Sequence, residues 1–120
     1  MVIPAHDESE RIDAAIATNA AMAVVGPHLC GMGGALFALV HVEEEVYALN
    51  SAGRAGSGAD PERLRRDGHT SMPHRLGIES VTVPGCVDGW IALRERFGSL
   101  PLDRILAPAR RLASDGFPAS

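Results

Sequence analysis

The chain has 120 residues, 46% of them apolar and 22% charged, with a formal net charge of −4 and two cysteines. That composition suits one globular domain and excludes a disordered tail or a disulfide scaffold, and the negative balance with scattered arginines excludes a nucleic-acid partner. All eleven basic residues are Arg, which removes Schiff-base and P-loop lysine chemistry, and no apolar run reaches the length of a membrane span.

Residues 1–10 are polar, contain Pro4 and read as an irregular N-terminal extension. They lack the basic and apolar regions of a leader peptide, so the default compartment is the cytoplasm. A helix is expected to start near Ser9 or Glu10, with Ser9 as N-cap. Ile12, Ala15, Ile16, Ala20, Ala23 and Val24 then form a helical stripe up to Val25, while Thr18 and Asn19 need polar partners wherever they are buried.

Pro27, Gly31, Gly33 and Gly34 stop that helix and predict a tightly packed hinge. Ala35 to Val40 is apolar on both strand faces, which predicts a strand covered on both sides. The acidic turn Glu43 to Glu45 and the run Val46 to Asn50 complete an antiparallel hairpin, expected to lie under the helix 11–25. Burial of Leu36, Phe37 and Leu39 there contributes about 1.5 to 3 kcal/mol each.

Arg54 to Gly58 is an irregular crossing, followed by a helix-start signal in Asp60-Pro61-Glu62 and a stop at Gly68. His69 to Gly77 reads as a loop placed to cover a cleft, and Ser80 to Val83 as a short strand. Pro84-Gly85 leads into a helix whose inner face is expected to hold Val87, Trp90, Ile91 and Phe97, with Gly98 as its end. In the last helical pattern Leu102, Ile105, Leu106, Ala109, Leu112 and Ala113 point inward, Pro108 predicts a break at Ala107, and Gly116 is the stop.

Several side chains invite chemical readings. His28, Cys30 and His41 lack the second close pair of a zinc site and read as structural, with Cys30 and Cys86 as free thiols. Gly31-Met32-Gly33-Gly34 lies after a helix and before a strand, the reverse of a phosphate-binding glycine loop. Thr70 and Ser71, with His69 or His74 as base, are sequence neighbours of the kind that seldom form a catalytic pair. Arg54 is either a surface residue or a carboxylate clamp, since its planar fork can bind a carboxylate bidentately.

Three ordered segments carry a family resemblance: Asp13 to Ala20 running into Val25-Gly26-Pro27-His28 and Gly31-Met32-Gly33-Gly34; Val83-Pro84-Gly85-Cys86-Val87-Asp88-Gly89-Trp90; and Phe97-Gly98-Ser99-Leu100-Pro101 with Pro108-Ala109 and Asp115-Gly116-Phe117-Pro118. Over residues 11–120 the chain resembles the N-terminal part of the large subunit of the gamma-glutamyltransferase (gamma-glutamyltranspeptidase, glutathione hydrolase) family. The resemblance implies an α/β architecture, part of the N-terminal-nucleophile hydrolase αββα sandwich, incomplete at both ends. It further implies a precursor that cuts itself, exposing a Thr whose hydroxyl is the nucleophile and whose α-amine is the base. That Thr and the oxyanion hole belong to the downstream half, the small subunit, which is the partner the resemblance implies for this segment. The substrate implied is a γ-glutamyl peptide or related small amide; no cofactor, metal, nucleic acid or membrane is implied.

The family's carboxylate-binding Arg aligns with Ala52, and the nearest guanidinium is Arg54, two residues later. The pattern Asn50-x-x-Gly53-Arg54-Ala55 resembles the gamma-glutamyltransferase-like branch, which makes Arg54 the candidate substrate-binding residue and leaves no catalytic residue within the segment. The chain alone is therefore expected to be inactive, and poorly soluble, oligomeric or molten. The alternatives are an amidohydrolase of the same fold acting on a different acyl donor, or a non-catalytic interaction domain that keeps the scaffold. Coding sequence downstream of Ser120 that opens a second half on Thr separates enzyme from orphan domain.

Overall fold

The structure, a computed structural model, describes residues 7–72 and 77–118. Helix α1 spans Glu8–Val25, so helix begins within the stretch expected to be irregular. Its N-cap is Asp7 rather than Ser9: the Asp7 carboxylate accepts from the Ser9 N–H at 3.2 Å and the Ser9 hydroxyl at 2.9 Å. The charged acceptor takes the cap and Ser9 becomes its donor. Those bonds also hold the exposed Asp7 carboxyl below its ordinary range.

Strands β1 (Leu36–Val42) and β2 (Glu45–Ser51) form the expected antiparallel hairpin, in register from Leu36 opposite Ser51 to Val42 opposite Glu45. The two turn residues Glu43 and Glu44 have φ of 49° and 67°, the left-handed pair that matches strand twist in a two-residue hairpin. Helix α2 (Pro61–Arg66) starts as its sequence signals, with the Asp60 carboxylate accepting from the Arg63 N–H at 3.0 Å. The stretch expected to be a strand near residue 82 is a single 3-10 turn at Ile78–Ser80 and one bridge between Ala55 and Thr82. Pro84, immediately beyond, has no N–H with which to extend that ladder.

Helix α3 (Cys86–Phe97) is followed by α4 (Leu102–Ile105) and α5 (Ala107–Asp115). The break falls at Leu106, one residue before the expected position, because Pro108 then sits in the first turn of α5 where a missing N–H costs nothing. The core gathers Ile16 and Ala20 of α1, Val40 of β1, Cys86, Trp90 and Leu93 of α3, Ile105 and Ala109. Asn19 finds the partner it needs in Trp90, whose indole N–H donates to its carbonyl at 2.9 Å, and Thr18 stays exposed with its hydroxyl on the Ala14 carbonyl.

Two expectations about packing are corrected. The hairpin is covered by α3, with α1 packed in turn on α3 and α5. Close approach is possible because α3 meets the sheet through Gly89, where a Cβ would lie 2.5 Å from a Leu36 methyl. The buried face of α3 is accordingly Cys86, Gly89, Trp90 and Leu93, while Val87 and Ile91 are exposed.

The second correction is that β1 is covered on one side only. Leu36 is half-buried, but Phe37 and Leu39 are 68% and 78% exposed and share the outer face with Val46. The radius of gyration, 17.7 Å, exceeds the roughly 14 Å of a self-contained domain of this length. In the segment on its own, Leu39→Ser is therefore expected to change stability by less than about 0.5 kcal/mol, not by the value of a buried Leu. The same substitution should shift size-exclusion profiles toward smaller species, and a large drop in melting temperature would show that the outer face is already packed.

Candidate functional site

The crossing after β2 is the most tightly built irregular segment. The Asn50 side-chain oxygen accepts from the Ala52 N–H at 3.1 Å, turning the chain away from the strand. Gly53 follows at φ 82°, and a Cβ there would lie 1.8 Å from the Val83 carbonyl oxygen, so only glycine fits. The Val83 N–H donates to the Arg54 carbonyl at 2.9 Å and the Thr82 hydroxyl to the Ala52 carbonyl at 3.0 Å. On the other side the Ser51 hydroxyl donates to the Gly85 carbonyl at 2.7 Å.

Residues 51–55 are thus held against residues 82–85, and they carry the candidate Arg54 on a fixed backbone. Its side chain is exposed and makes no ion pair or hydrogen bond among the described residues. It lines an open groove of about 710 Å³ together with Asn50, Ala52, Pro84, Gly85 and Asp88. A guanidinium presented this way suits a carboxylate ligand, since the fork is pre-organised and uncommitted. Ala52 lines the same groove with a methyl group that can bind no anion.

The glycine loop does not pack as expected. A Cβ on Gly31 or Gly33 would meet nothing within 4 Å, and on Gly34 only the Gly31 carbonyl at 3.5 Å. Its role in this chain is to cap α3: the N–H groups of Gly85 and Cys86 donate to the Gly34 carbonyl at 3.1 and 3.0 Å. The glycines that are pressed are Gly53, Gly85, Gly89 and Gly98.

Of the remaining candidates, His28 and His41 are exposed and Cys30 half-buried, and no group of three or more His, Cys, Asp or Glu converges among the described residues. Burial pushes the Cys86 thiol up, with the neighbouring Cys30 adding to it, so Cys86 stays protonated and unreactive. His69, Thr70 and Ser71 line a shallow depression beside α2 with no hydrogen bond from His69 to either hydroxyl, and His74 lies outside the described residues. An apolar groove of about 550 Å³ runs between α2 and the 3-10 turn, but its charged lining residues are already paired, Arg63 with Glu79 at 3.2 Å and Asp60 with Arg66 at 3.7 Å. No helix among the described residues is long and apolar enough to cross a membrane.

Asp88 was legible in the sequence only as one letter of a motif; nothing in its spacing brings it to Arg54. The structure places it on the groove that Arg54 also lines, by seating the first turn of α3 against the end of β2.

The sequence profile of the Gamma-glutamyltranspeptidase family matches residues 6–120. The chain is 42% identical over 111 residues to the glutathione hydrolase-like YwrD proenzyme of Bacillus subtilis, covering 90% of this chain and 21% of that protein. It is 37% identical over 115 residues to the oxamate amidohydrolase proenzyme of Klebsiella pneumoniae, covering 91% and 21%. Cephalosporin acylase from Bacillus halodurans superposes with a TM-score of 0.82 at 39% identity, over 91% of this chain and 20% of that one. The chain spans about a fifth of the length of these relatives.

Proposed function

From the premise that the chain belongs to the gamma-glutamyltranspeptidase family, an N-terminal-nucleophile hydrolase family, we propose that it is the substrate-carboxylate-binding portion of a self-cleaving acyl-transfer enzyme. Its mixed helix and strand structure is part of the fold of that family. The reaction needs a Thr hydroxyl that adds to an amide carbonyl while the α-amine of the same Thr takes the proton and hands it to the leaving amine. The resulting ester is resolved by water or an acceptor amine. Those groups are supplied by the downstream half of the precursor, and the segment alone neither hydrolyses nor transfers.

What this segment adds is Arg54. The single observation that carries the reading is its uncommitted guanidinium on a crossing whose backbone is fixed at Ala52, Gly53 and Arg54. Uniform binding of the donor's carboxylate lowers KM and leaves kcat nearly unchanged. In the complete precursor Arg54→Ala should raise KM for a γ-glutamyl anilide roughly tenfold or more, the equivalent of about 1.5 to 3 kcal/mol for a charge-assisted bond. An unchanged KM in a fully processed enzyme would leave Arg54 a structural residue.

A second reading, an amidohydrolase acting on another acyl donor, draws support from Ala52 in place of the family's Arg and from the likeness to a protein named oxamate amidohydrolase. The two readings separate on donor preference, measured with γ-glutamyl anilide against oxamate.

A further inference from the structure

Gly53 stands immediately before Arg54, and glycine has the widest backbone freedom of any residue, so an unrestrained Gly53 would let the guanidinium swing. The chain restrains it from both sides. After Gly53, the Arg54 carbonyl accepts from the Val83 N–H at 2.9 Å. Before it, the Ala52 carbonyl accepts from the Thr82 hydroxyl at 3.0 Å, thirty residues along the chain. The first bond is backbone to backbone and survives any substitution other than proline at residue 83. The second depends on one side chain. We infer that Thr82 is a positioning residue for substrate binding: it touches no substrate, and its hydroxyl holds residues 52–53 so that Arg54 is presented in one orientation. The inference rests on the proposed clamp role of Arg54.

The residue type suits the task. Thr82 is bridged to Ala55 in an extended, antiparallel pairing, a backbone that a β-branched side chain favours and that restricts its χ1. Its hydroxyl lies over Gly53, since a Cβ built there would come 3.2 Å from the Thr82 Oγ1. The absence of a side chain at residue 53 and the hydroxyl at residue 82 therefore act together. The bond is exposed, so water replaces it when the hydroxyl is removed and the fold loses little. What is lost is pre-organisation: the carboxylate must then order residues 52–54 as it binds, a cost that falls on affinity and not on the chemical step.

The test is a double-mutant cycle in the complete precursor, with KM and kcat measured for γ-glutamyl p-nitroanilide. Thr82→Val keeps the branched shape and removes the donor. It is expected to raise KM roughly two- to tenfold with kcat nearly unchanged, and Thr82→Ser, which keeps the hydroxyl, should stay near the parent. In an Arg54→Ala background Thr82→Val should change KM no further, because the two residues act through one interaction. Complete self-cleavage on a denaturing gel shows that each variant has folded. An unchanged KM in Thr82→Val beside a raised KM in Arg54→Ala would overturn the inference and leave the clamp standing. A rise that persists in the Arg54→Ala background, or that Thr82→Ser shares, would overturn it by showing that Thr82 acts on the fold and not through the guanidinium. If Arg54→Ala itself leaves KM unmoved, the clamp reading has failed and the role of Thr82 falls with it.

Discussion

Trp90→Ala is expected to lower stability by about 3 to 5 kcal/mol, the range for truncating a fully buried large aromatic side chain. Trp90 is 1% exposed and lies where α1, α3 and the inner face of the hairpin meet. Two costs combine. The ring's volume is left as a cavity that rigid neighbours close only in part, and the Asn19 carbonyl loses its 2.9 Å donor within a half-buried site. Among the described residues the other donor to that oxygen is the Cys86 thiol at 3.8 Å, which is weak. Trp90→Phe separates the terms, keeping most of the ring but not the N–H, and should fall between the parent and the Ala variant. Urea melts of the complete precursor followed by circular dichroism read both substitutions. An Ala variant within about 1 kcal/mol of the parent would mean that the site collapses around the missing ring.

The parts of the fold legible in the sequence are those set by local chemistry. Asp60-Pro61 starts α2, Gly98 and Gly116 lie at the ends of α3 and α5, and Glu43-Glu44 turns the hairpin, each decided within a few residues. Pro108 broke its helix, but one residue early, because proline is best tolerated in a first turn and the chain places it there. Burial was not legible in the same way. Phe37 and Leu39 carry the same apolar signal as Val40, and only the covering helix distinguishes them. That helix turned out to be α3 rather than α1, a choice made by Gly89, whose missing side chain lets α3 onto the sheet.

Glycines show the limit most clearly. Gly31, Gly33 and Gly34 form the denser cluster in sequence and are uncrowded in this chain, while the isolated Gly53, Gly85 and Gly89 are pressed against backbone and side chains. Composition identifies where the chain can bend; contacts far along the sequence decide where it must. The candidate site divides the same way. Arg54 was visible as an arginine in a glycine-rich crossing, but its fixed backbone depends on Thr82 and Val83, and Asp88 enters the groove only through the seating of α3.

Asp13→Ala should be comparably damaging, at about 3 kcal/mol or more, because it removes a buried charge from three donors at once. Asp13 is 4% exposed, and its Oδ2 accepts from the Ser99 N–H at 3.1 Å, the Ser99 hydroxyl at 2.9 Å and the Leu100 N–H at 2.9 Å. These bonds join α1 to the loop that enters α4, and α4 with α5 closes the far side of the core. Its Oδ1 is buried without a donor among the described residues and lies against Gly98, where a Cβ would come within 2.5 Å of it. Glycine is therefore required at residue 98 to admit the carboxylate, whereas its φ of −84° at the end of α3 is one that any residue adopts. Asp13→Asn keeps the shape and one acceptor oxygen but loses the charge, and in place of Oδ1 it would bury an amide with no acceptor. It should cost less than Ala but still about 1 to 3 kcal/mol. The order parent, Asn, Ala in urea midpoints of the complete precursor is the expected result. Equal midpoints for parent and Asn would show that the charge adds nothing and that the geometry of the Ser99-Leu100 turn alone holds α4 against α1.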